Sequence, residues 1–319
     1  MKTRWLFLAL SVGLGALSVI IISCGGGGPT KPENDSLVWV REGPQNLPQL
    51  SGIWGSSATN VFAVGQEGTI LHYDGDEWST MSSGTSDWLN AVWGSSGNDV
   101  FAVGDNGKIR HYNGDHWVPM NNPTDWQIHD VWGNSSDDVF CAAVNGTILH
   151  CDGTAWSTMS NPHADSLGNT YGFRGVWGSS GTDVFVVGLF GIILHYDGMT
   201  WVRIPVDSRS FTAIWGSSAT DVFLVGGWGS SGIVHYDGVD WTQMDSGEPT
   251  ELYGIWGISG TDIFTVGISG TIIHYDGAAW SRLTSGTTMN LQSVWGSSTN
   301  NVFAVGSDGS HGIIIHGTR

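Results

Sequence analysis

The chain has 319 residues, of which 48 are glycine and 18 tryptophan, and its 29 acidic against 11 basic side chains leave a net charge of −18. That charge excludes nucleic acid and anionic lipid surfaces as electrostatic partners, because both would be repelled. The glycine content, and the absence of helical periodicity after residue 30, exclude a helical or α/β domain and predict many short strands joined by tight turns.

Residues 1–24 stand apart. Lys2 and Arg4 precede an unbroken run of apolar and small residues that ends in "IISC" at Cys24. This is the pattern of a secretory signal, and its end resembles the bacterial lipobox. In that family the cysteine is lipidated and becomes the mature N-terminus. The alternative is an uncleaved anchor, since about 18 apolar residues can just span a bilayer. Residues 25–35, "GGGGPTKPEND", carry no core-forming side chain and are expected to be a flexible linker. The resemblance implies an extracytoplasmic address in the cell envelope, with membrane contact through the lipid alone.

From residue 36 onward the chain repeats. "WGSS" or a near copy begins at Trp54, Trp93, Trp132, Trp177, Trp215, Trp256 and Trp295, and a phenylalanine follows each tryptophan eight residues later, from Phe62 to Phe303. Each unit predicts four strands: an apolar one around "LNAVWG", then "DVFAVG", then "GTILHY", and a fourth around the tryptophan that follows an Asp-Gly turn. Both turn residues are expected at positive φ, as in a tight hairpin. Six units carry the fourth-strand tryptophan (Trp78, Trp117, Trp156, Trp201, Trp241 and Trp280), but the seventh stops at "GIIIHGTR". The missing strand is at the other end: Trp39 lies four residues after Asp35, as Trp78 follows Asp74. The prediction is therefore an all-β, seven-bladed propeller over residues 36–319, its four-stranded blades closed into a ring by residues 36–40. This pattern resembles bacterial secreted seven-bladed β-propellers and is loosely similar to WD-repeat, kelch and Asp-box propellers. The "YDGxxW" turn lacks the Ser/Thr and the spacer residue of the Asp-box.

Residues shared by all units are expected to serve packing. A histidine ends every third strand (His72, His111, His150, His195, His235, His274 and His316). Seven equivalent groups in seven blades cannot converge on one metal ion, so each is expected to hydrogen-bond within its blade. The repeated Trp and Phe are likewise expected in the core. Aligning Cys141 opposite Ile148 puts Cys151 on the other sheet face and predicts two buried free thiols. No CxxC, HExxH, phosphate loop or GxSxG occurs, and the seven arginines beyond the signal are scattered. Neither cofactor nor metal is expected, and the chain is expected to be a monomer.

A particular ligand must be read by positions that differ between units. Those lie in the turns between second and third strands and in the connections between blades, which share one face. Three residues before each "WG" tryptophan stand Ser51, Asn90, His129, Arg174, Thr212, Tyr253 and Gln292, a varied polar column predicted to ring the channel mouth. The apolar column before it, Leu50 through Leu291, is predicted core. Trp88 and Glu251 fall on the same rim, Asp130 interrupts a column of Gly, Ala and Ser, and Phe190, Trp228, Trp126 and Tyr171 put aromatics on exposed turns. The ligand-binding candidates are therefore Trp88, Asn90, His129, Asp130, Arg174, Tyr253, Glu251, Gln292, Phe190 and Trp228. The expected function is non-enzymatic binding of a protein or a glycan; the rival is a glycan lyase or hydrolase built on His129, Asp130, Arg174, Tyr253 and Glu251.

Overall fold

The second strands explain the architecture. Runs such as Asn60–Gly65 and Asp99–Gly104 are apolar at nearly every position, which suits a strand covered on both faces. Alternate residues then point to opposite neighbours: Phe62 and Val64 pack against Leu89 and Val92 of the following blade, whereas Val61 and Ala63 pack with Phe303 and Val305 of the preceding one. The core is consequently not one mass but a ring of apolar clusters, one between each pair of adjacent blades.

The structure, a computed structural model, describes residues 37–161, 172–206, 209–227, 232–248 and 250–319. The expected signal, Cys24 and the linker lie outside the described residues. Seven four-stranded antiparallel sheets make the seven blades. The first has its innermost strand at Leu50–Ser57, followed outward by Asn60–Gly65, Ile70–Tyr73 and Trp78–Met81. Further blades begin at Leu89, Ile128, Phe173, Phe211, Leu252 and Asn290. The outermost strand of the seventh is Val38–Leu47, paired antiparallel with Gly312–Thr318. Trp39 faces Gly317 and Val40 faces His316, the register in which Trp78 faces Tyr73 and Ser79 faces His72. The N-terminal strand thus completes the ring as predicted, and does so with ten residues rather than five.

The invariant "WG" pairs close each blade on the next. A Cβ built on Gly55, Gly94, Gly133, Gly178, Gly216, Gly257 or Gly296 would come under 3.0 Å from the six-membered ring of the preceding blade's tryptophan, with Trp295 covering Gly55 at the ring junction. Only glycine leaves room for the indole to lie flat there. These tryptophans were expected in the core. They are instead half-buried for the most part, with their exposed faces toward the central channel, because the inner strands crowd at the axis and leave no further layer to cover them.

Each third-strand histidine bonds within its blade. The Nε2 atoms of His72, His111, His150, His195, His235 and His274 lie 2.5–3.0 Å from a carboxylate or amide oxygen at the start of the second strand, and each ring packs on that strand's phenylalanine, as His111 does on Phe101 at 4.6 Å. The seventh differs: His316 Nδ1 bonds Glu42 Oε1 at 2.7 Å, and Glu42 Oε2 accepts from Trp78 Nε1 at 3.3 Å, tying the closing strand to the first blade.

Two local expectations fail. In the Asp-Gly turns only glycine takes the left-handed conformation (Gly75 at φ 104°). Asp74 stays out of it because its carboxylate accepts the N–H groups of Asp76 and Glu77, both at 2.9 Å, and those bonds hold its pKa below the ordinary carboxylate value. The second error is one of register. Cys141 faces Leu149, not Ile148, because the turn between the strands is one residue longer than assumed, so Cys141 and Cys151 share a sheet face and one apolar cluster. They remain free and buried. Cys151 faces Val139, so the thiols are diagonal rather than opposed, a separation too long for a disulfide without backbone movement.

Candidate ligand-binding face

The varied polar column has a structural cause. In every blade the register between the two inner strands slips at that residue: Ile128 faces Ala143 and Asp130 faces Ala142, leaving His129 unpaired between them. The same slip isolates Ser51, Asn90, Arg174, Thr212, Tyr253 and Gln292. A β-bulge of this kind releases one residue from the alternation and re-aims its side chain. Directly before it the apolar column is fully buried, Leu50 being 1% exposed and Leu291 0%, which anchors the bulge. All seven bulged residues line one axial cavity of about 560 Å³, together with Asp130, Glu251 and the tryptophans of the "WG" pairs, Trp93 excepted.

Hydrogen bonding divides this ring into two groups. Asn90 Nδ2 donates to Ile128 O at 2.9 Å and to Asp105 Oδ1 at 3.1 Å, and Thr212 Oγ1 donates to Leu252 O at 2.8 Å, so both tie one blade to the next. Ser51 Oγ accepts the Trp88 indole N–H at 2.7 Å. The Tyr253 hydroxyl donates to Glu251 Oε2 at 3.1 Å. By contrast, Arg174 and Gln292 make no hydrogen bond or ion pair among the described residues, and His129 Nε2 is buried without a partner.

Electrostatics sets blades 3 and 4 apart. Burial, with the Arg174 charge second, lowers His129 to about 4, so its ring is neutral at pH 7. Burial also pushes the Asp130 carboxyl up to about 7, against two backbone N–H bonds that favour its charge: Val131 N to Oδ1 and Val176 N to Oδ2, both at 2.9 Å. The second bond crosses to the next blade, where Gly175 occupies Asp130's own column. Asp130 is thus spent on backbone donors.

The remaining candidates lie at the rim. Trp88 does not line the cavity; half-buried, it braces Ser51 from outside. Phe190 is 53% exposed at the tip of its turn and takes φ 58°, a left-handed conformation uncommon for a bulky residue and held by Asn106 and Asn145 in the equivalent turns of blades 2 and 3. Trp126, at the entry to blade 3, is 51% exposed. Trp228 and Tyr171 lie outside the described residues. Sequence reading missed Leu189, Ser210 and Gly227, which also border the cavity. They are reached by folding of the turns over the mouth and carry no repeat signal of their own; the only trace is a backbone bond such as Gly227 N to Ser210 O at 2.9 Å.

A closed ring of seven four-stranded blades around a polar-headed axial cavity is a seven-bladed β-propeller. Solved structures of similar fold include a YCF48 bound to D1 peptide (TM-score 0.69, 14% identity, covering 90% of this chain and 96% of that one) and YCF48 from Cyanidioschyzon merolae (TM-score 0.70, 15% identity, 88% and 98%). The WD40 propeller domain of Doa1 is as similar (TM-score 0.70, 13% identity, 89% and 96%). No protein-family profile and no curated protein matches the sequence. At these identities the likeness extends to the fold.

Proposed function

We propose that the chain is a non-enzymatic binding protein of the bacterial cell envelope, tethered through lipid on Cys24, which holds a segment of a partner protein in the axial cavity of its variable face. The observation that carries this reading is a set of polar heads with no bond among the described residues, Arg174, Gln292 and the buried His129 Nε2, in a cavity lined by indoles, aliphatic side chains and polar groups that are already bonded. Pockets of that make-up hold ligands by apolar contact and orient them through a few convergent polar groups. A peptide in a solved propeller of this fold supports a protein segment as occupant. Asp130 argues against the enzyme, because both its oxygens are engaged by backbone N–H groups. Trp88 and Tyr253 on the rim are engaged by Ser51 and Glu251.

The test is site-specific photocrosslinking in cells of the full chain. A crosslinker at Gln292 is expected to capture a protein, and one at Glu77 on the opposite face is not. Equal capture from both positions, or glycan binding without any protein adduct, would overturn the reading. The tether is checked by mass spectrometry of the mature protein; an unmodified Cys24 would refute it.

A further inference from the structure

Arg174 is the one cationic side chain among the residues that border the cavity. It sits on the bulge of blade 4, half-buried, with burial lowering its pKa and no carboxylate among the described residues raising it. A guanidinium drawn out of water without a counter-ion is unfavourable, and an incoming anion relieves it. Asp130 is not that counter-ion, because its oxygens are held by Val131 N and Val176 N. Glu251 is not either, being bonded to Tyr253 two blades away. On the adjacent bulge, His129 Nε2 is buried with no partner, a second position able to bond an oxygen. Trp126, at the entry to blade 3, and Phe190, on the blade 4 turn that bonds Ser210 at the entry to blade 5, are exposed further out on the rim.

We propose that the bound peptide presents a carboxylate to the adjacent bulges of blades 3 and 4, where Arg174 receives it through its guanidinium fork and His129 lends a further hydrogen bond. This rests on the peptide-binding reading above. A planar guanidinium matches a carboxylate in two parallel bonds. Polyanions do not fit, since Glu251 and Asp130 border the same cavity and the chain carries a net charge of −18. The carboxylate comes from a C-terminus or from an Asp or Glu side chain.

The experiment titrates N-acetylated octapeptide pools against the full chain in detergent micelles. Each pool is made as free acid and as C-terminal amide, with and without Asp and Glu. Wild type is expected to select peptides with a carboxylate, and replacing that group by an amide should weaken binding by about tenfold or more, as for loss of a charge-assisted hydrogen bond. Which arm loses binding identifies the source. In Arg174→Gln the two forms should bind within about twofold of each other, and Arg174→Lys should restore part of the discrimination. His129→Gln, which keeps a donor, should retain more of it than His129→Leu. Melting curves confirm that each variant is folded. Selected peptides indifferent to the carboxylate, or full discrimination in Arg174→Gln, would overturn the proposal and leave peptide binding standing. Binding to none of the pools would overturn the peptide reading itself.

Discussion

His129 and Asp130 are neighbours in sequence with opposite proton linkage. His129 falls from its ordinary value of 6.5 to about 4 on folding, so its neutral form is favoured by the fold. Its contribution is whole above pH 6.5 and drains as the pH falls toward 4. Asp130 rises from 3.8 to about 7, so its contribution is whole below pH 3.8 and is lost as the pH rises toward 7. Between pH 4 and 6.5 the two therefore partly cancel in wild type. His129→Gln should remove one side of that balance: its melting temperature should rise, relative to wild type, as the pH is lowered from 6.5 to 4. A constant difference across that range would show that His129 does not titrate as described. At the same scale, Gly216→Ala puts a methyl 2.6 Å from the Trp177 ring, and overpacking of this kind costs about 1–3 kcal/mol. Chemical denaturation measures it, and a neutral result would deny the ring–glycine contact.

The closing strand Val38–Leu47 is the element on which the ring depends. Without it Gly312–Thr318 becomes an exposed edge with unpaired backbone groups, a template for aggregation. A chain starting at residue 48 should melt well below one starting at residue 30 and should associate in light scattering. Matching melts would refute closure by pairing. Glu42 offers a finer probe, since its carboxylate joins His316 of blade 7 to Trp78 of blade 1. Burial raises its pKa, but the His316 hydrogen bond and charge and the Trp78 bond outweigh that and leave it lowered. Its stabilisation is therefore present above the ordinary carboxylate value and lost as the pH falls through the lowered one. Glu42→Ala should cost about 1–3 kcal/mol at pH 7, because His316 and Trp78 both lose a partner, and the difference should shrink in acid. The bulges belong to this scale too. Their existence was not readable from alternation, yet the polar column they release was, because a residue freed from packing varies from blade to blade while its apolar neighbour does not.

For the whole molecule, the two faces should respond differently to substitution. Arg174→Ala and Gln292→Ala remove no hydrogen bond among the described residues, so binding should fall with little change in melting temperature, a buried interface anchor being worth about 2 kcal/mol or more. Trp88→Ala should instead lose stability, through the 2.7 Å bond to Ser51 and the covering of the rim. On the opposite face, exchanging Asp76 and Glu77 for alanine should leave binding alone, since what holds that turn is Asp74 accepting their backbone N–H groups. Equal responses of the two faces in titration calorimetry would remove the case for a dedicated binding face.

Repetition made the architecture legible before any coordinates. Seven copies of one period, with one strand missing at the C-terminus and its match at Trp39, define the blade count and the closure, because each blade can bury its apolar faces only against another blade. The same repetition showed which histidines are structural and which column is free to vary. Tertiary structure alone decided what lies between blades. The "WG" glycine is required by a ring from the preceding unit, Asp130 is satisfied by Val176 of the following one, and Cys141 and Cys151 share a face because of a turn length that spacing did not disclose. It alone separated Asn90 and Thr212, whose polar groups are used up in bonds to the next blade, from Arg174 and Gln292, which are left facing the cavity. A side chain's type is written in the sequence, but whether its hydrogen bonds are already taken depends on backbone brought from another unit of the ring, and only the closed fold places it there.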